Sequence, residues 1–388
     1  VKHLTGCFSN VEGFSSVGKH VGIKPADKDF AVLLSDSVCT AAAVYTRNQI
    51  QGAPLQVTKE HLTNNSAQAI VVNSGVANVA TGRKGVDNAV KTTELLAAEL
   101  GIKADDVIVA STGVIGPQLP MDKITAGITG IKQELGSNED FAEAICTTDT
   151  HKKEVCVTAY GFTIAGCAKG AGMIAPNMAT MLSFIATDAA IDGQELSALL
   201  HDCVDASFNM MSIDMDTSTS DMVVVMANGR VQADTKQFRE VLQYVCQELA
   251  KMVARDGEGA TKLIISETRG AHSQSDARKV ARSIVASNLV KTAVYGNDPN
   301  WGRLMMALGN SGAEQINQDT IQIWINQNLI VENGAAAPGY DAEKLTALLA
   351  DNEEVTITID LQQGSDSATA YGCDMSEDYV KINAEYTT

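Results

Sequence analysis

The sequence predicts a layered α/β fold in which paired sheets are covered by helices. Three observations carry that expectation. Strand-length apolar runs at 30–47 (FAVLLSDSVCTAAAVYTR) and 68–73 (QAIVVN) alternate with a helix-patterned segment at 86–100 (VDNAVKTTELLAAEL). Two later runs, TIQIWI within 320–331 and VTITID within 354–361, alternate apolar and polar residues as antiparallel strands with one wet face do. The composition is ordinary for a globular chain, with 45% apolar and 20% charged residues over 388 positions. That excludes extended disorder, collagen-like repeats and a small disulfide-stapled scaffold.

The elements follow in chain order. After the first two strands, the glycine-containing stretch 73–85 (NSGVANVATGRKG) reads as a loop, and the helix at 86–100 ends where Gly101 supplies a C-terminal cap. VIVAS at 107–111 reads as a strand running into Thr112-Gly113-Val114-Ile115-Gly116-Pro117, and a helix is expected over 122–135 with Asp122 near its start. Residues 154–166 (EVCVTAYGFTIAG) have strand periodicity. The stretch AKGAGMIAPNMATMLSFIATDA is poor in charge. Helices are expected at 194–206 and 235–254, the second opening after Asp234 with Phe238, Leu242, Val245 and Leu249 on one face, then at 276–288 and near 341–349. Length alone suggests two or three domains of about 150 residues.

With 29 basic and 47 acidic residues, the chain carries a formal charge of −18, so nucleic-acid phosphates would meet an unfavourable average field and no nucleic-acid partner is expected. No apolar run approaches the roughly 18 residues of a spanning helix, and the first residues show no signal-peptide core, so no membrane association is expected. The eight cysteines form no C-x-x-C pair and sit in apolar surroundings, which fits buried free thiols and a cytoplasmic protein.

Several chemistries leave recognisable spacings, and none of a phosphate loop, a zinc helix, a G-x-S-x-G elbow or a dinucleotide fingerprint is found. The six histidines are scattered, so neither a metal nor a bound cofactor is expected. The distinctive object is Lys169-Gly170-Ala171-Gly172-Met173-Ile174-Ala175-Pro176-Asn177-Met178-Ala179-Thr180-Met181. A threonine hydroxyl is a poor nucleophile without a nearby base. Cleavage of the Ala179–Thr180 peptide would give Thr180 both a hydroxyl and an α-amine, whose ordinary pKa of about 8 suits a local base. Without cleavage, Thr180 is as readily a helix cap or a hydroxyl bonded to a nearby carbonyl.

Around K-G-x-G-M-x-x-P-N-M-A-T-M-L the chain resembles the glutamate N-acetyltransferase family, also called ornithine acetyltransferase, including its bifunctional arginine-biosynthesis members. Ser111-Thr112-Gly113-Val114-Ile115-Gly116, Asp216-Thr217-Ser218-Thr219, Leu289-Val290-Lys291-Thr292-Ala293 and Asp298-Pro299-Asn300-Trp301-Gly302-Arg303 extend the resemblance over nearly the whole chain. It implies an N-terminal-nucleophile-type fold and self-cleavage into an α segment, 1–179, and a β segment, 180–388. The two segments would remain associated as a dimer of αβ units. It implies transfer of acetyl from N2-acetyl-L-ornithine to L-glutamate through an acetyl-Thr180 intermediate. Acetyl-CoA is a second donor that some members use.

By the same resemblance, Thr112 and Gly113 would stabilise the oxyanion. Thr147, Lys169, Thr180, Glu258, Asn383 and Thr388 would bind substrate, with Lys169 on a carboxylate and Glu258 on the ornithine side-chain amine. Taken alone, S-T-G-V-I-G is equally a strand-to-helix turn, Glu258 a surface acid, and the C-terminal residues a frayed tail. The Asp214–Asp221 block, lacking calcium-loop spacing, reads as a hydrogen-bonded turn. The family commonly has Gly at Met215, Asn at Ser220, Asn at Val76 and Cys at Ala80. Two other functions fit parts of this pattern: an N-terminal-nucleophile amidase or aminopeptidase that transfers to water, and a non-catalytic amino-acid-binding protein.

Overall fold

The computed structural model describes residues 1–175 and 181–385. Its strands form two sheets. In the larger, the order is Lys2–His3, Lys153–Ala159, Phe162–Lys169, Leu182–Ala190, Met222–Gln232, Phe30–Tyr45, Ser66–Val76 and Val107–Val114, with Phe14–Lys19 paired to the first half of Phe30–Tyr45. Leu182–Ala190 runs parallel to Met222–Gln232, as Ser66–Val76 does to Val107–Val114, and the other pairings are antiparallel. The smaller sheet orders Ala335–Ala336, Asn328–Glu332, Gln322–Ile325, Glu354–Asp360, Leu263–Ala271, Asp366–Cys373 and Met211–Ser212.

The central strands are buried on both faces, which explains why they read as continuous apolar runs. Along Met222–Gln232 the side chains of Val223 and Val225 enter the core under helices Gly193–Asp205 and Thr235–Arg255, while Met222, Val224 and Met226 enter the core around Phe8, Phe141 and Phe184. A third core lies between the outer strands and helix Gly82–Leu100, and a fourth fills the smaller sheet beneath Gln274–Ala286. Helix Thr235–Arg255 touches strands of both sheets and joins them. The predicted α/β class, paired sheets under helices, is the observed one.

Helix starts follow the chemistry of their caps. Asp192, Asp234, Ser273 and Asp341 each accept an amide hydrogen bond at the first turn of their helix, and Gly101 ends Gly82–Leu100 in the left-handed conformation. Other expectations need correction. The helix placed at 86–100 starts at Gly82, so the loop expected over 73–85 shrinks to the residues between Val76 and Gly82. The helix expected over 122–135 is two short helices, Met121–Ile128 and Ile131–Glu134, divided where Gly130 turns left-handed (φ 77°).

The single strand read at 154–166 is a hairpin, Lys153–Ala159 with Phe162–Lys169. It turns at Tyr160-Gly161, where both φ angles are positive, as a tight two-residue hairpin requires. The run 320–331 folds back in the same way at Asn326-Gln327. Its strand Gln322–Ile325 does pair antiparallel with Glu354–Asp360. The helix expected at 276–288 stops at Ala286, and Ser287 caps a new helix, Asn288–Tyr295.

Candidate active site

A cavity of about 420 Å³ opens at one end of the larger sheet. It gathers Thr112, Gly113, Thr147, Lys169, Glu258 and Asn383, every predicted site residue that lies among the described ones. Ala179, Thr180 and Thr388 lie outside the described residues. Met181 and Leu182 line the same cavity, so the chain that directly follows position 180 runs along its wall.

The strand read as VIVAS continues through Val114, which places Thr112 and Gly113 in the sheet and not in a turn. There they pair in parallel with Ser74 and Gly75. Gly113 has φ 128°, and a Cβ there would run into the Gly75 backbone, so only glycine fits. Lys169 ends the strand Phe162–Lys169, and its Nζ donates to Thr112 Oγ1 at 3.0 Å. A hydroxyl that accepts from an ammonium keeps its own hydrogen free to donate elsewhere.

Opposite stands Glu258, just past the end of Thr235–Arg255 and buried. Its backbone N–H donates to the Ala171 carbonyl at 2.8 Å, and its Oε2 accepts from Asn383 Nδ2 at 2.7 Å. A side chain at position 172 would overlap the Glu258 carboxylate, which accounts for Gly172. Asn383 rides on the helix Glu377–Glu385, so the C-terminal segment is tied to the cleft.

Behind these groups lies a buried ion cluster that sequence reasoning missed. The Lys153 ammonium bonds Asp149 Oδ1 at 2.5 Å and Asp256 Oδ2 at 2.6 Å. Asp149 also accepts from the amides of Thr147 (3.0 Å) and Gly170 (2.6 Å), and Asp256 accepts from the amide of Thr150 (3.0 Å). One cation thus fixes the Thr147 loop, the Lys169–Gly172 turn and the approach to Glu258. Burial alone would raise the Asp149 pKa, but the charges of Lys153 and Lys169 and the Gly170 amide outweigh it and pull the carboxyl down to about 2. Burial would likewise lower Lys153, and its two carboxylates outweigh that and raise it.

Asp214, which the sequence marked only as part of an acid-rich turn, is the second addition to the site. Its carboxylate accepts from the amides of Met173 (2.7 Å) and Ile174 (2.9 Å), and the Tyr379 hydroxyl donates to it at 3.4 Å. It therefore anchors the glycine-rich turn that leads towards Thr180. This bears out the reading of the Asp214–Asp221 block as a hydrogen-bonded turn. The acid-rich spacing was the available signal, since short side chains that bond backbone amides favour such turns. Met215 has φ 71°, which explains why a glycine suits this position better.

Among the described residues lining the cavity, Lys169 supplies positive charge, and Asp214, Asp216, Asp221 and Glu258 supply carboxyl groups. Thiol chemistry is disfavoured nearby. The eight cysteines are free, and burial, reinforced by Asp149, pushes Cys146 up to about 12, so it stays protonated. Among the described residues, no group of three His, Cys, Asp or Glu side chains is arranged to hold a metal ion. No helix among them is long and apolar enough to cross a membrane.

Fold and cleft together define an α/β enzyme whose charged site is assembled from both halves of the chain. Comparison with known proteins places it more narrowly. The ArgJ family model matches residues 15–388. The chain is 47% identical over 398 residues to the arginine biosynthesis bifunctional protein ArgJ of Listeria monocytogenes, covering 99% of each chain. It is 43% identical to the protein of that name from Bacillus subtilis, covering 99% of this chain and 97% of the relative. The crystal structure of the Bacillus halodurans ArgJ protein shares 45% identity and a TM-score of 0.51, over 53% of this chain and 100% of that one. The chain belongs to the ArgJ family.

Proposed function

We propose that this protein is an acetyltransferase of arginine biosynthesis that moves acetyl from N2-acetyl-L-ornithine to L-glutamate through Thr180, freed as a chain end by cleavage after Ala179. The observation that carries the reading is the convergence of Thr112, Gly113, Lys169, Glu258 and Asn383 on the cleft that Met181 enters. In this reading the Thr180 hydroxyl first attacks the Ala179 carbonyl, and hydrolysis of the resulting ester releases the new N-terminus. In turnover the Thr180 α-amine takes the hydroxyl proton as the oxygen attacks the acetyl carbon. Thr112 O–H and Gly113 N–H bind the oxyanion. Collapse returns the proton to the departing ornithine amine and leaves an acetyl ester, which the glutamate amine then opens to give N-acetyl-L-glutamate.

The charge pattern suits these substrates. Lys169 offers a cation to the α-carboxylate both share, and Glu258 offers a carboxylate to the ornithine ammonium. Thr147 and Thr388 complete the proposed binding set. Two observations support a cleaved yet united molecule. Leu182–Ala190 and Met222–Gln232, from the proposed β segment, lie inside the larger sheet between Phe162–Lys169 and Phe30–Tyr45 of the α segment. The B. halodurans chain is covered in full by 53% of this one, close to the share that residues 180–388 make up. Assembly of two such αβ units is part of the proposal.

The test is release of ornithine from N2-acetyl-L-ornithine by purified protein with and without glutamate. Release that requires glutamate supports the transferase. Fast release indifferent to glutamate supports an amidase. Absence of turnover supports a binding protein. Replacing the donor with acetyl-CoA and measuring the N-acetyl-L-glutamate formed decides whether it is a second donor.

A further inference from the structure

The helix Glu377–Glu385, which brings Asn383 to the cleft, has no buried residue. Helices in folded proteins draw most of their stability from an apolar face packed on a core, so this one is held chiefly at its root and by polar bonds. Over the cleft those bonds are the Tyr379 hydroxyl to Asp214 at 3.4 Å and Asn383 to Glu258 at 2.7 Å.

The root is built around Asp374. Its side chain follows directly on the strand Asp366–Cys373, and the residue is 2% exposed. Oδ1 accepts the amides of Thr261 at 2.8 Å and Lys262 at 2.9 Å, and Oδ2 accepts the Thr261 hydroxyl. The Asp374 N–H donates back to the Lys262 carbonyl at 3.1 Å. Two residues on, the Ser376 hydroxyl donates to the Gly259 carbonyl at 2.5 Å and accepts the Asp378 amide at 3.2 Å, at the start of the helix. Gly259 has φ 70°, and a Cβ there would meet the Tyr379 amide, so the two segments lie backbone against backbone. The turn gripped in this way, 256–262, is the one that carries Glu258.

We propose that Asp374 is the positioning residue that locks the Glu258 turn against the C-terminal helix, and so sets the Glu258 carboxylate where a side-chain ammonium is read. The inference rests on the reading of Glu258 given above. Asp374 is not among the described residues that line the cleft, and its side-chain bonds go to the turn. It acts through Glu258 and Asn383, because the two segments it joins are the two that supply that pair. Without its oxygens, two buried amides and a hydroxyl lose their acceptor and the turn is free to shift.

The experiment is Asp374→Ala and Asp374→Asn in the full chain, each alone and combined with Glu258→Gln. Thermal melting confirms folding, and steady-state kinetics are read in N2-acetyl-L-ornithine and in glutamate. Alanine removes both oxygens. The KM for N2-acetyl-L-ornithine is expected to rise about tenfold, with kcat and the KM for glutamate within about twofold. Asparagine keeps an oxygen for the two amides and offers its NH2 to Thr261 Oγ1, so it is expected to restore that KM to within about threefold of the unaltered protein. On the Glu258→Gln background, alanine is expected to add less than about twofold, because substitutions that act through one contact are not additive. A full effect on that background would overturn the proposal. Equal rises for both substrates, or an unmoved KM in folded Asp374→Ala, would overturn it too. Should Asp374→Ala fail to fold, Thr261→Val removes one bond to the same carboxyl from an exposed position. A rise of about threefold in the same KM, absent on Glu258→Gln, then supports the proposal, and no rise overturns it. If Glu258→Gln by itself leaves the KM for N2-acetyl-L-ornithine unmoved, the reading of Glu258 is what fails, and this inference falls with it.

Discussion

Lys169 Nζ donates to Thr112 Oγ1 at 3.0 Å, which joins the proposed carboxylate-binding cation to the proposed oxyanion donor. The ammonium occupies one lone pair of the hydroxyl and polarises its O–H, so Thr112 is primed to donate into the cleft. Thr112→Val keeps the β-branched shape and removes the donor. It is expected to lower kcat by about 10²–10³ with little change in KM, in steady-state assays of glutamate acetylation.

Glu258 and Asn383 form a pair at 2.7 Å whose carboxylate is proposed to meet the ornithine ammonium. Glu258→Gln preserves shape and removes charge. The KM for N2-acetyl-L-ornithine is expected to rise at least tenfold, while the KM for glutamate, which has no side-chain ammonium, changes little. Equal increases for both substrates would show that Glu258 supports the cleft in general and does not read the amine.

Lys153 sits between Asp149 and Asp256 with no exposed side-chain surface. Lys153→Met would leave two buried carboxylates without their cation and is expected to cost about 3–5 kcal/mol of stability, read from denaturant unfolding. The same cluster predicts acid sensitivity. The Asp149 pKa is depressed to about 2, below its unfolded value of about 3.9. Its contribution is therefore fully present above about pH 4 and is lost as the pH falls towards 2, which unfolding midpoints against pH would trace.

Met215 holds a left-handed conformation (φ 71°) and is 55% exposed. Glycine adopts that conformation without a Cβ penalty. Met215→Gly is expected to raise stability by about 1 kcal/mol, seen as a higher melting temperature with unchanged kcat.

What the sequence disclosed was local. Asp234 followed by apolar residues at helical spacing marked Thr235–Arg255 to within a residue, and Gly101 marked a helix end. Thr112, Lys169 and Glu258 were legible through family-like blocks, and the cleft brings them together. Long-range electrostatics were not legible. Lys153 looks like any surface lysine until Asp256, 103 residues away, closes on it. Hairpin turns at Tyr160-Gly161 and Asn326-Gln327 were hidden because Tyr and Gln rarely signal positive φ. Strands such as Leu263–Ala271 and Asp366–Cys373 passed unread because each is defined by its sheet partners.

The central claim, that Thr180 acts as a freed chain end, is tested most directly by denaturing intact-mass analysis of active protein beside Thr180→Ala. The account predicts two polypeptides divided between residues 179 and 180 in the active protein, and one whole, inactive chain for the variant. Full transferase activity from a single polypeptide of 388 residues would contradict it.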